Sequence, residues 1–118
     1  MGRLTTHMLD TANGRPAAGV RVRVFAVGDG DVRKLLFETA TNADGRCDAP
    51  LLEGAALRAG RYEIVFGAGA YFAALAPALV QPSFVDDVVL RFGIADPAQH
   101  YHVPLLVSPW SYSTYRGS

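Results

Sequence analysis

A single cysteine, Cys47, stands in the 118 residues. Its solitude excludes an internal disulfide and any zinc site built from cysteines, so the fold must rest on its apolar core. Charge of neither sign is in excess, because 11 basic residues balance 11 acidic ones. Affinity for nucleic acid comes largely from neutralising phosphates, and a balanced chain argues against that partner class. Long hydrophobic runs are missing too. The longest, residues 68–80, is interrupted by Gly69 and Pro77 and cannot span a bilayer as a helix, so no membrane partner is expected. No basic start followed by an apolar stretch is visible, which leaves a cytoplasmic location as the expectation. Only 19% of residues are charged while 50% are hydrophobic, which excludes a disordered chain. The length suits one domain, expected over residues 1–118.

What is present is period-two alternation. Val20, Val22 and Val24 alternate with Arg21 and Arg23. Tyr62, Ile64 and Phe66 alternate with Arg61, Glu63 and Val65, which predicts a strand with Glu63 on its wetted side. Phe84 to Ile94 repeats the pattern, with Asp86, Val88, Leu90 and Phe92 on one face. Leu4 to Leu9, Leu35 to Thr41 and Tyr101 to Val107 are further strand candidates. Turn chemistry separates them at Asn13-Gly14, Gly28-Asp29-Gly30-Asp31, Asn42-Ala43-Asp44-Gly45 and Ala95-Asp96-Pro97. Six to eight short strands with turns every ten or so residues predict an all-β sandwich or barrel. Ala70 to Ala76 breaks the pattern, with Tyr71, Phe72 and Leu75 at helical spacing and Pro77 as a stop, and predicts one short helix.

A few polar residues stand out against this background. His7 shares a strand face with Thr5 and Leu9, and His100 and His102 share another. Together the three histidines are a candidate metal set, since zinc accepts three imidazoles with one open position, but no carboxylate accompanies them. Arg46 follows a tight turn. Asn42 to Gly45 lacks the closing Glu of a calcium loop and reads as a turn. Cys47 beside Arg46 reads as an inert thiol. The tail from Ser111 to Ser118 is rich in hydroxyls, holds no acidic side chain and follows the strongly apolar run Val103 to Val107.

Leu4-Thr5-Thr6-His7-Met8-Leu9-Asp10 with Gly14-Arg15-Pro16-Ala17, then Thr41-Asn42-Ala43-Asp44-Gly45-Arg46, then His100 to Pro109 running into Ser113-Thr114-Tyr115-Arg116-Gly117-Ser118, resemble the three motifs of the 5-hydroxyisourate hydrolases. These are the transthyretin-like enzymes of urate breakdown. The terminal Tyr-Arg-Gly-Ser is the most specific part, because it separates the enzymes from transthyretin itself. The resemblance implies a two-sheet sandwich of about eight strands with one short helix. It also implies a homotetramer with sites where two dimers meet, and hydrolysis of a ring amide of 5-hydroxyisourate without a metal or organic cofactor.

The resemblance places catalytic roles on His7, Arg46, His102 and Ser118, and substrate contacts on His7, Arg46, Tyr115, Arg116 and Gly117. A histidine suits the activation of water near neutral pH. Arg46 would offer a fixed cationic fork to substrate oxygens. Thr5 and Ser108 are candidate supports behind this set. Which histidine acts as base and which as acid stays open at this level. The competing expectation is a transthyretin-like carrier of a small ligand, whose pocket should be mainly apolar. Two histidines, an arginine and a tyrosine are costly to bury together without a task, and this favours the enzyme.

Overall fold

A computed structural model describes residues 1–117. The strands are β1 (Arg3–Asp10), β2 (Arg15–Pro16), β3 (Arg21–Val27), β4 (Arg33–Ala40), β5 (Leu52–Glu53), β6 (Gly60–Phe66), β7 (Val88–Ile94), β8 (His100–Val107) and β9 (Tyr112–Thr114). The helix α1 (Ala68–Leu75) connects β6 to the segment before β7. One sheet has the order β2-β1-β8-β9, with β5 pairing the start of β1; the other has the order β4-β3-β6-β7. Every pairing is antiparallel except β1 with β8, which run parallel from Arg3 opposite His100 to Asp10 opposite Val107.

Alternation dictates which side chains meet between the sheets. Leu4, Met8, Leu105 and Val107 of the first sheet pack against Val22, Val24, Ile64, Phe66 and Val88 of the second. A fully buried aliphatic or aromatic side chain contributes roughly 1.5–3 kcal/mol, so this contiguous cluster is what holds the layers together. Buried Asp10 accepts hydrogen bonds from Asn13 N–H (2.9 Å), Asn13 Nδ2 (2.7 Å) and the Tyr71 hydroxyl (2.8 Å). It thereby ties α1 to the end of β1. No buried side-chain polar atom among the described residues lacks a partner.

The expected sandwich is present, with four differences. Nine strands appear among the described residues, two of them only two residues long. The strand expected from Phe84 begins at Val88, because β6 ends at Phe66, opposite Val88, and the chain then turns into α1. Residues before Val88 find other partners: Val85 N–H donates to the Pro109 carbonyl, and the Asp86 carbonyl accepts from Gly69. Glu63, expected on the wetted face, is only 3% exposed, since Arg33 and Arg91 fold over it. The helix starts two residues earlier than predicted and ends before Pro77 as expected. No helix among the described residues is long and apolar enough to cross a membrane.

Candidate active site

The parallel pairing of β1 with β8 sets Thr5 opposite His102 and His7 opposite Pro104. Thr5, His7 and Leu9 alternate with the core residues of β1, and His102 and Leu106 alternate with those of β8. All five therefore lie on the outer face of one sheet. Two isolated bridges extend the row. Arg46 pairs with His7 on one flank, and Gly117 pairs with His102 on the other. Residues as far apart in sequence as His7 and Gly117 thus form one line: Arg46, His7, His102, Gly117.

The turn carrying Arg46 is built by its own residues. The Asn42 side-chain oxygen accepts the N–H groups of Asp44 (2.9 Å) and Arg46 (3.2 Å). Gly45 has φ +74°, and a Cβ there would come within 2.3 Å of the Met8 carbonyl, so the turn can lie against β1 only with glycine at this position. The Gly45 carbonyl accepts the Met8 N–H at 2.8 Å. This docking brings the Asp44 carbonyl to within 2.9 Å of His7 Nε2. A carbonyl can only accept, so Nε2 carries the proton and a neutral His7 keeps its lone pair on Nδ1.

His102 is held differently. Its Nδ1 lies 2.9 Å from the Thr5 hydroxyl oxygen, and its backbone carbonyl accepts the Gly117 N–H at 2.7 Å. A Cβ on Gly117 would fall 2.8 Å from His102 Cδ2, so the tail can run beside the ring only with glycine there. Burial pushes the imidazole below its ordinary pKa of 6.5, and the neighbouring charges of Arg46 and His7 push it the same way. His102 is therefore a neutral imidazole at physiological pH. Arg46 is exposed and has no carboxylate within ion-pair distance among the described residues.

The remaining candidates are placed less centrally. Tyr115 is 62% exposed just beyond β9. Arg116 donates to the Gln99 side chain (2.8 Å) and to the His100 carbonyl (3.1 Å), and its guanidinium lies 4.1 Å over the Tyr101 ring. Tyr101 belongs to the core side of β8, so the Arg116 side chain is not brought to the imidazoles. Ser118 lies outside the described residues. Ser108 shapes its own loop, accepting from Trp110 and Ser111 N–H. His100 is exposed at the start of β8, and no group of three His, Cys, Asp or Glu suited to a metal ion occurs among the described residues. Burial, with help from Asp48, raises the Cys47 thiol, so it is not a ready nucleophile. Sequence reasoning read Asn42 to Gly45 only as a turn and missed that it aims Arg46 and fixes the His7 proton.

A model of the HIUase/Transthyretin family matches residues 4–117. The chain belongs to that family. Among its members, the 5-hydroxyisourate hydrolase of Mesorhizobium japonicum is 59% identical over 99% of this chain and 93% of its own. The solved 5-hydroxyisourate hydrolase of Klebsiella pneumoniae superposes with a TM-score of 0.81 at 37% identity, covering all of both chains. An (S)-allantoin synthase superposes with a TM-score of 0.92 at 47% identity over 99% of this chain; the chain spans 44% of that longer protein. The HIUase/Transthyretin fold is thus common to this chain and to proteins with a second, additional portion.

Proposed function

We propose that the protein is an enzyme that opens the ring amide of 5-hydroxyisourate to 2-oxo-4-hydroxy-4-carboxy-5-ureidoimidazoline in urate breakdown. The observation that carries this reading is the convergence of His7, His102 and Arg46 on one sheet face with no carboxylate to neutralise them among the described residues. Paired cations hold a fold together. An unpaired guanidinium beside a neutral imidazole is suited to a substrate that develops negative charge on oxygen.

The reaction adds water across a C–N bond. Water attacks the ring carbonyl carbon while His102 removes its proton, and negative charge gathers on the carbonyl oxygen. Arg46 donates to that oxygen. Collapse of the tetrahedral centre breaks the C–N bond, and the departing nitrogen takes the proton that His102 removed from water, leaving a ureido N–H and a carboxylic acid that ionises to the carboxylate. Removing a preorganised donor such as Arg46 typically costs on the order of 3 kcal/mol of barrier, a hundredfold or more in rate. Tyr115, Gly117 and Ser118 border the substrate in this reading, and Arg116 reaches it only by leaving Tyr101.

We place the site at the meeting of two dimers in a cytoplasmic homotetramer, with residues 1–118 forming one transthyretin-like domain. Family membership and the exposed setting of Arg46 and Tyr115 support a pocket completed by a second surface. The test is direct. Protein mixed with freshly generated 5-hydroxyisourate should speed the decay of its ultraviolet absorbance well beyond the spontaneous rate. Binding without any acceleration would instead mark a carrier, and the hydrolase reading would fall.

A further inference from the structure

His102 is gripped at two edges. Its Nδ1 edge meets Thr5 Oγ1 at 2.9 Å, and its Cδ2 edge lies against Gly117, where an added Cβ would stand only 2.8 Å away. The ring therefore has little freedom to flip or swing. Its Nε2 makes no hydrogen bond among the described residues, so the chemistry at Nε2 depends on which nitrogen holds the proton. We propose that Thr5 is a positioning residue that accepts a hydrogen bond from His102 Nδ1–H, thereby selecting the tautomer whose lone pair is on Nε2. This deepens the hydrolase reading and rests on it for the direction of the hydrogen bond and for its kinetic consequence, while the contact itself is set by the strand register.

Three observations support the assignment. The contact is set by the strands themselves, since Thr5 stands opposite His102 in the parallel register of β1 and β8. A β-branched side chain is restricted at χ1, so few positions are open to Oγ1, and one of them meets the ring. Thr5 Oγ1 has no other hydrogen bond among the described residues that would compete for it. The direction follows from what the ring must do. Once Nε2 has taken a proton, Nδ1–H can only donate. If Thr5 already accepts from it, the same hydrogen bond serves the neutral and the charged ring, and no hydroxyl has to turn during the step. In the opposite arrangement Thr5 donates to Nδ1, Nε2–H faces the pocket, and the ring cannot act as a base without first reorganising.

A hydroxyl also suits the surroundings better than a carboxylate would. The charged or titratable groups facing His102 are Arg46 from the turn and His7 from β1, and both disfavour the imidazolium. A carboxylate in place of Thr5 would oppose them and keep the ring protonated at neutral pH. Threonine orients the ring while leaving it neutral.

The test reads the resting protein first. Nitrogen-15 NMR of labelled imidazoles distinguishes Nδ1–H from Nε2–H. Wild type should show His102 with its proton on Nδ1. Thr5→Val, which keeps the β-branched shape and removes the oxygen, should move the ring toward Nε2–H, and Thr5→Ser should restore Nδ1–H. With 5-hydroxyisourate, Thr5→Val should lower kcat about tenfold or more while KM changes less, and Thr5→Ser should recover most of it. An Nε2–H signal in wild type, or a tautomer indifferent to Thr5→Val, would overturn the assignment. Should Thr5→Val fail to fold, the wild-type and Thr5→Ser spectra still decide the matter. Absence of any wild-type turnover would overturn the hydrolase reading and leave the tautomer measurement standing, so the two failures are distinguishable.

Discussion

The two sheets turn opposite kinds of face to the outside. On the sheet β4-β3-β6-β7, all five arginines of the strands are paired. Arg21 meets Glu38, Arg23 reaches Asp87 at 3.6 Å, Arg61 meets Asp31 at 3.0 Å, and Arg33 and Arg91 converge on Glu63 at 3.1 and 2.7 Å. Arg23 and Arg33 also lie over the Phe25 ring. Across the row Arg46, His7, His102 and Gly117 on the other sheet, no carboxylate among the described residues pairs with the cation or the imidazoles. The pattern separates charge that is used internally from charge kept available. A salt-bridged face has little left to offer a ligand, whereas Arg46 keeps its whole fork and His102 keeps one ring nitrogen.

That contrast fails if the unpaired face proves dispensable, and the strongest way to break it is His102→Asn. Asparagine keeps a polar group of moderate size but cannot take a proton near neutral pH. Hydrolysis of 5-hydroxyisourate should fall by about a hundredfold or more while the circular dichroism spectrum and Tm stay close to wild type. Gly117→Ala sharpens the same face by displacement. Its Cβ would meet His102 Cδ2 at 2.8 Å, so ring or tail must move. Turnover should drop on the order of tenfold to a hundredfold, because small misplacements of a reacting group are expensive in rate. Wild-type kcat in the Gly117→Ala enzyme would show that the close approach has no part in catalysis.

Acid separates the two faces by their pH windows. Folding favours neutral His102, so its protonation lowers stability and removes the proposed base as pH falls from 6.5 through its depressed pKa. Burial alone would raise Glu63, but the guanidiniums of Arg91 and Arg33 more than offset this and hold its carboxyl below the ordinary 4.5. Its contribution to stability is present above pH 4.5 and is lost only as pH falls through that lower value. A kcat/KM profile should therefore show an acid limb below pH 6.5, and the contribution of Glu63 to stability should persist down to below pH 4.5. An acid limb above pH 6.5 contradicts the placement of His102.

Much of this architecture was legible in the residues. Alternation located the long strands, Pro77 ended the helix, and the motifs around His7, Arg46 and His102 pointed to side chains that the fold brings to one sheet face. What local pattern cannot carry is who stands opposite whom. Glu63 looked like a wetted residue because alternation reports a face, not whether two arginines from β4 and β7 will close over it. The segment 84–87 looked like strand because its own sequence suits one, but β6 had already ended and left it no strand to pair with. The Thr5–His102 contact depends on register between strands 97 positions apart. Arg116 sat within the most specific motif, yet its side chain lies on the core side of β8, over Tyr101.

The smallest expected effect on catalysis completes the comparison. Glu63→Gln should lower stability by about 1–2 kcal/mol, since a buried acceptor loses its charge while its half-exposed arginine partners remain solvated. Turnover per folded molecule should be unchanged. The most direct measurement therefore sets His102→Asn beside Glu63→Gln, with 5-hydroxyisourate hydrolysis and Tm recorded for both at equal folded concentration. The expected result is lost turnover at an unchanged Tm for the first, and full turnover at a lowered Tm for the second. Near-wild-type hydrolysis by His102→Asn would show that the unpaired face is not where the chemistry happens.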